Sequence, residues 1–102
     1  MIDQANFKAA FEVFFAELTE LQEKRCKEAG YTKKTYGYTI GKKYIRVVED
    51  DARVFLFVDK TTGNILKPAG WKAPAKHARG NIFDDTKGLG QVGLYGPAYL
   101  RG

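Results

Sequence analysis

"KKYIRVVEDDARVFLFVDKTTGNILK", residues 42–67, holds two runs of β-branched and aromatic residues and the start of a third. "KKYIRVVE" and "ARVFLFVD" suit a pleated, half-buried surface, and "DDA" between them has the chemistry of a turn. In "DKTTGN", residues 59–64, the Asp59 carboxylate can bond turn amides and Gly63 can take a positive φ. That is the pattern of a hairpin closed by a type I turn and a bulge. "NILK" is then the return strand. Upstream, after "YTKKT", Tyr36, Tyr38 and Ile40 alternate with small residues and add a strand in front. The stretch predicts an antiparallel β-meander of about four strands over about residues 36–67.

Residues 4–29 have a different period. Phe7, Phe11, Phe14, Leu18 and Leu21 recur at spacings of three and four, which stacks them on one side of a helix. Asp3 can cap the free amides of the first turn, and Ile2 sits where it can pack on Phe7 as a hydrophobic staple. Lys24, Arg25 and Lys27 favour the negative end of the helix dipole, and Gly30 can take the left-handed conformation that stops it. A helix followed by a run of strands predicts an α+β domain, one long N-terminal helix packed on one face of the meander. Val13, Phe15 and Ala16 widen the apolar stripe beyond what a small sheet covers, which points to a homo-oligomer, a dimer first, joined through this helix.

A chain of 102 residues, with 44% hydrophobic and 28% charged, is expected to form one domain with one core. No stretch approaches the roughly 20 apolar residues that span a bilayer, and no export signal opens the sequence, so a cytoplasmic setting without membrane contact is expected. Cys26 is the only cysteine, which rules out an internal disulfide and suits a reducing compartment.

Catalytic and cofactor chemistry finds little support. With one Cys and one His, the chain lacks the ligands of a structural zinc site. A Cys26 and His77 nucleophile pair would need a third group and mutual contact, and Cys26 lies in the last turns of the helix beside Arg25 and Lys27. Asp84 and Asp85 read better as solvent-facing or turn-capping carboxylates than as a metal or acid/base pair, and Glu49, Asp50 and Asp51 fit a hairpin turn. "GLGQVG", residues 88–93, has the spacing of a dinucleotide-binding loop but lacks the strand before it, the helix after it and the later acid that the chemistry requires. The expectation is a non-enzymatic protein with no metal and no cofactor.

The basic residues are unevenly spread. The net charge is +5, cations crowd from Lys24 to Arg46 against Glu28 alone, and none of residues 60–83 is acidic. Such a field attracts phosphate backbones, and aromatics among the cations can stack on bases. The candidate nucleic-acid-binding residues are Lys42, Lys43, Arg46, Lys67, Trp71, Lys72, Lys76, His77 and Arg79. A solvated charged face on an aromatic-rich sheet is the plainer alternative. "GWKAPAKHARGN", residues 70–81, concentrates the question. Within an irregular basic segment, residues 68–85, Pro74 suits a first helical position and Gly80 the residue after a last one. "PAKHAR" then reads as a single turn presenting Lys76, His77 and Arg79, anchored on the sheet by Trp71. Against that stands a reading in which Trp71 and Ile82 plug the open end of the sheet. The Gly-rich residues 86–102, with Val92, Leu94, Tyr95, Tyr99 and Leu100, read as an extended arm.

"FVDKTTGNILKPAGWKAPAKHARGNIFDD" together with "YGPAYLR" resembles a group of small, uncharacterised proteins of tailed bacteriophages, notably marine ones. The resemblance covers about residues 43–101 and is most specific in "GWKAPAKHARGNIFD". It implies an infected bacterial cell as the setting, with a place in the virion also open, and assigns no reaction. The first expectation is therefore a module that binds single- or double-stranded nucleic acid with little sequence preference. The alternative is an assembly protein acting as a homo-oligomer through the Phe-rich helix and the arm.

Overall fold

A computed structural model describes residues 3–84, 86–87, 89–93 and 96–97. Helix α1 runs Gln4–Ala29, the span its period predicts. Asp3 caps it by accepting a hydrogen bond from the Ala5 amide at 2.9 Å, and Gly30 ends it at φ 76°. Phe7, Phe11, Phe14 and Leu18 are buried as expected, but the row then continues through Gln22 and Cys26, and Leu21 is only half-buried. At 3.6 residues per turn, a step of four from Leu18 lands about 40° off the row and a step of three about 60° off it on the other side. The geometry prefers position 22 even though the residue there is polar. Ile2, the expected staple, lies outside the described residues.

Five strands follow, β1 Tyr36–Ile40, β2 Tyr44–Glu49, β3 Arg53–Asp59, β4 Asn64–Pro68 and β5 Pro74–Asn81, forming one antiparallel sheet in chain order. Asp50 and Asp51 turn β2 into β3 with φ of 54° and 56°, a conformation that Asp tolerates better than most residues. Asp50 also accepts from the Thr35 amide at 2.7 Å, tying down the approach to β1. Glu49 opens that turn, its carbonyl accepting from the Ala52 amide at 3.1 Å, and it also ends β2 and is buried. The next turn matches its reading. The Asp59 carboxylate accepts from the Thr61 amide at 2.8 Å, and Gly63 has φ 79°.

The fifth strand corrects the reading of residues 68–85. "PAKHAR" is not a helical turn but the body of β5, paired with β4 from Pro68↔Pro74 to Asn64↔Asn81. The unpaired edge of β4 offers backbone hydrogen bonds along its length, whereas a single isolated turn of helix is costly to nucleate. Pro74 suits the first residue of an edge strand as well as it suits a helix start. Two register shifts let the irregular run follow its partner.

The sheet has two chemically distinct faces. Ile45, Val47, Leu56, Val58 and Ile65 pack against Phe7, Phe11, Phe14 and Leu18 of α1. Ile82 is buried in this same core, so half of the plug reading holds for it. Val54, Phe57 and Leu66 form a smaller cluster, joined by Tyr44, on the face away from the helix. Part of the expected arm is docked and not extended. Leu89–Gln91 form a 3-10 turn, and Val92–Gly93 (β6) pair with Gly96–Pro97 (β7). Val92 joins the helix-side core, and its carbonyl accepts from the Arg25 guanidinium at 2.6 Å. Leu94, Tyr95, Tyr99 and Leu100 lie outside the described residues.

Candidate functional site

Strand alternation sorts the β2 side chains. Ile45 and Val47 face the helix, while Tyr44 and Arg46 face the other way, Arg46 directly opposite Phe57 of β3. Tyr44 meets Phe57 edge to face, with ring centroids 5.9 Å apart. The turn before β2 is tight, closed by the Gly41 amide on the Tyr44 carbonyl at 2.9 Å, and it brings Lys42 and Lys43 to the same face. Lys72 reaches that face from the β4–β5 connection.

These residues border one groove of about 330 Å³, lined by Lys42, Lys43, Tyr44, Arg46, Phe57 and Lys72 with a few β1 residues and no acidic side chain. Phe57 and Tyr44 contribute the aromatic lining and the four cations the charge. The Arg46 guanidinium carbon lies 5.2 Å from the centroid of the Trp71 ring, a cation–π distance. Its Nε is buried and has no hydrogen-bond acceptor among the described residues.

Of the nine sequence-derived candidates, Lys42, Lys43, Arg46, Trp71 and Lys72 therefore meet on the face away from the helix. Trp71 stands beside the groove against Arg46, and the other four candidates lie away from it. Lys67 is half-buried on β4, and Lys76 and His77 are exposed on the edge strand β5. Arg79, at a register shift of β5, turns its guanidinium onto the carbonyl of His77. Trp71 is half exposed and so is not the plug that one reading made of it.

The remaining candidate chemistry resolves into structural roles. Asp84 caps a turn by accepting from the Thr86 amide at 3.0 Å, and Asp85 lies outside the described residues. Cys26 is buried on the helix while His77 is exposed on β5. The end of "GLGQVG" forms a 3-10 turn and a short strand, with no helix opening there; Gly88 lies outside the described residues. Among the described residues no helix is long and apolar enough to cross a membrane.

One polar cluster was invisible in the sequence. The buried Glu49 carboxylate accepts from the Tyr36 hydroxyl at 3.0 Å and from Arg53 Nε at 3.2 Å, with Lys34 Nζ 3.7 Å away. Burial, and after it the neighbouring Glu49 charge, push the Tyr36 phenol above its ordinary range. These contacts tie β1 to β2 and β3.

A sequence model of a protein family, described as "Family of unknown function (DUF7717)", matches residues 3–95. No curated protein and no solved structure matches the chain.

Proposed function

We propose a function from geometry alone, because the chain belongs to the family of unknown function DUF7717 and takes no activity from it. It is a small non-enzymatic module that binds nucleic acid with little sequence preference, through the sheet face away from the helix. The observation that carries the reading is the groove itself: four cations, Lys42, Lys43, Arg46 and Lys72, border one depression with no acid in its lining. A chain of net charge +5 supplies the wider attractive field. Three of the four cations are lysines, point charges that hold phosphates without reading base edges, and Arg46 adds a planar guanidinium.

Salt tests it. Four phosphate contacts give log affinity against log salt a slope of about −3 on a single strand and about −3.5 on a duplex. Changing Lys42, Lys43 and Lys72 together to Ala flattens that slope by about two to three units. Absence of binding at roughly 50 mM salt, where such contacts are strongest, or a triple variant of unchanged affinity, removes the reading.

A second reading, assembly through the helix, is favoured by one observation. Val13 and Phe83 are both about half exposed and share a shallow hollow with Ala9, Ala10 and Ile82 on one flank of α1. Self-association through that flank is tested by light scattering on the full chain and on Val13→Lys; a strictly monomeric mass at high concentration overturns it.

A further inference from the structure

Arg46 engages only part of the Trp71 indole. Trp71 is 47% exposed, and it walls a second hollow of about 330 Å³ in which Arg46 takes no part. Val54, Pro68, Ala69 and Gly70 form its apolar surface, with Arg53 beside them. At Gly70 the space is open, since an added Cβ would meet nothing within 4 Å. A hollow of this size is at the small end of ligand sites, which run from roughly 300 to 1,000 Å³. Its open mouth lets a flat ring lie against the indole.

We infer that this hollow takes a nucleobase of a single-stranded polynucleotide, stacked on Trp71, while the flanking phosphates enter the groove of Lys42, Lys43, Arg46 and Lys72. The inference rests on the nucleic-acid reading above and names the strand that reading leaves open. A duplex keeps its bases paired and stacked inward, so it can offer phosphates to the groove but no ring to the hollow. Every base has a π-face, and apolar walls read no base edge, so stacking here is tolerant of sequence. The cation–π contact with Arg46 holds the indole beside the groove. DNA and RNA single strands share this chemistry.

Trp71 is the only tryptophan, so its fluorescence reports the hollow directly. The full chain is titrated with oligo-dU, oligo-U, a duplex and inorganic polyphosphate, the binding of each followed independently by calorimetry. Oligonucleotide single strands are expected to quench Trp71, whereas duplex and polyphosphate bind without quenching. Quenching by only one of the two oligonucleotides identifies the sugar the site accepts and supports the inference. Gly70→Leu fills the hollow without removing a charge. It should weaken single strands by about 5- to 150-fold, the worth of one stacked base, and leave polyphosphate affinity unchanged. Trp71→Phe should keep more single-strand affinity than Trp71→Ala, and melting curves check that each variant folds. Single strands that bind without quenching, with Gly70→Leu indifferent, overturn the stacked base and leave the phosphate groove standing. Failure of every anion to bind at low salt overturns both.

Discussion

At the scale of single residues, two positions convert local geometry into measurable stability. Gly63 combines φ 79° with a crowded surface, where an added Cβ would come within 2.6 Å of the Phe83 ring. Gly30 has nearly the same φ, 76°, but opens onto empty space. Gly30→Ala should therefore cost about 1–2 kcal/mol for the left-handed backbone alone. Gly63→Ala should cost about 2–4 kcal/mol, because overpacking is added to the same backbone term. Denaturant midpoints of the two variants check this, and equal losses would mean that Phe83 moves aside freely. Tyr36 makes a pH prediction. Its folded phenol is held above the ordinary value by burial and by Glu49, while in the unfolded chain it ionises near about 10. The stability it contributes is therefore complete below that pH and is lost as pH rises from there toward the raised folded value. Stability measured from about pH 8 to about pH 11 should fall more steeply for the wild type than for Tyr36→Phe, with the lysines common to both cancelling in the difference.

At the scale of elements, legibility followed locality. Helix α1 was readable end to end because its signals lie within a few residues of one another: Asp3 before it, the Phe7–Leu18 row within it, Gly30 after it. Two of the meander's turns were readable for the same reason, since the backbone of Asp50 and Asp51 and the contacts of Asp59 and Gly63 are set within the turns themselves. Strand β5 was not. Its partner is the edge of β4, and no window containing "PAKHAR" alone reveals that Pro74 and Gly80 serve an edge strand and not a helical turn. The choice between Leu21 and Gln22 failed for a milder reason: hydrophobicity favoured one and helix rotation the other, and rotation won. This ranking is testable. Phe11→Ala, which empties a buried ring site, should cost about 3–5 kcal/mol. Leu21→Ala removes a half-buried side chain and should cost about 1 kcal/mol, within the ordinary range for point changes. A larger loss at Leu21 than at Phe11 in urea titrations would mean the helix is rotated from the face described.

At the scale of the whole molecule, the sheet separates two tasks. Its helix side carries the large apolar core, and its other side carries a small cluster under the cations and Trp71. The cations and aromatics of that second side were legible one by one. Their convergence was not, because it depends on which way β2 alternates and on where the 69–73 connection lays Trp71 and Lys72. Lys67, Lys76, His77 and Arg79, equally basic in the sequence, fall on β4 and β5 beyond the groove. If the division of labour is real, stability and binding respond to different residues. Phe14→Ala, at a position with no solvent exposure, should lower stability by about 3–5 kcal/mol. The surviving folded fraction should still present an intact groove. A ligand at 100 times its Kd then stabilises it by about 2.7 kcal/mol, the same increment as for the wild type. Trp71→Ala combined with Lys72→Ala removes two exposed side chains and should leave unliganded stability within about 1 kcal/mol of the wild type, while most of that increment disappears at the same ligand concentration. Denaturant titrations with and without a single-stranded oligonucleotide measure all four quantities. An increment that shrinks in Phe14→Ala as much as in the double variant would mean that the helix-side core shapes the groove, and that the two faces act as one.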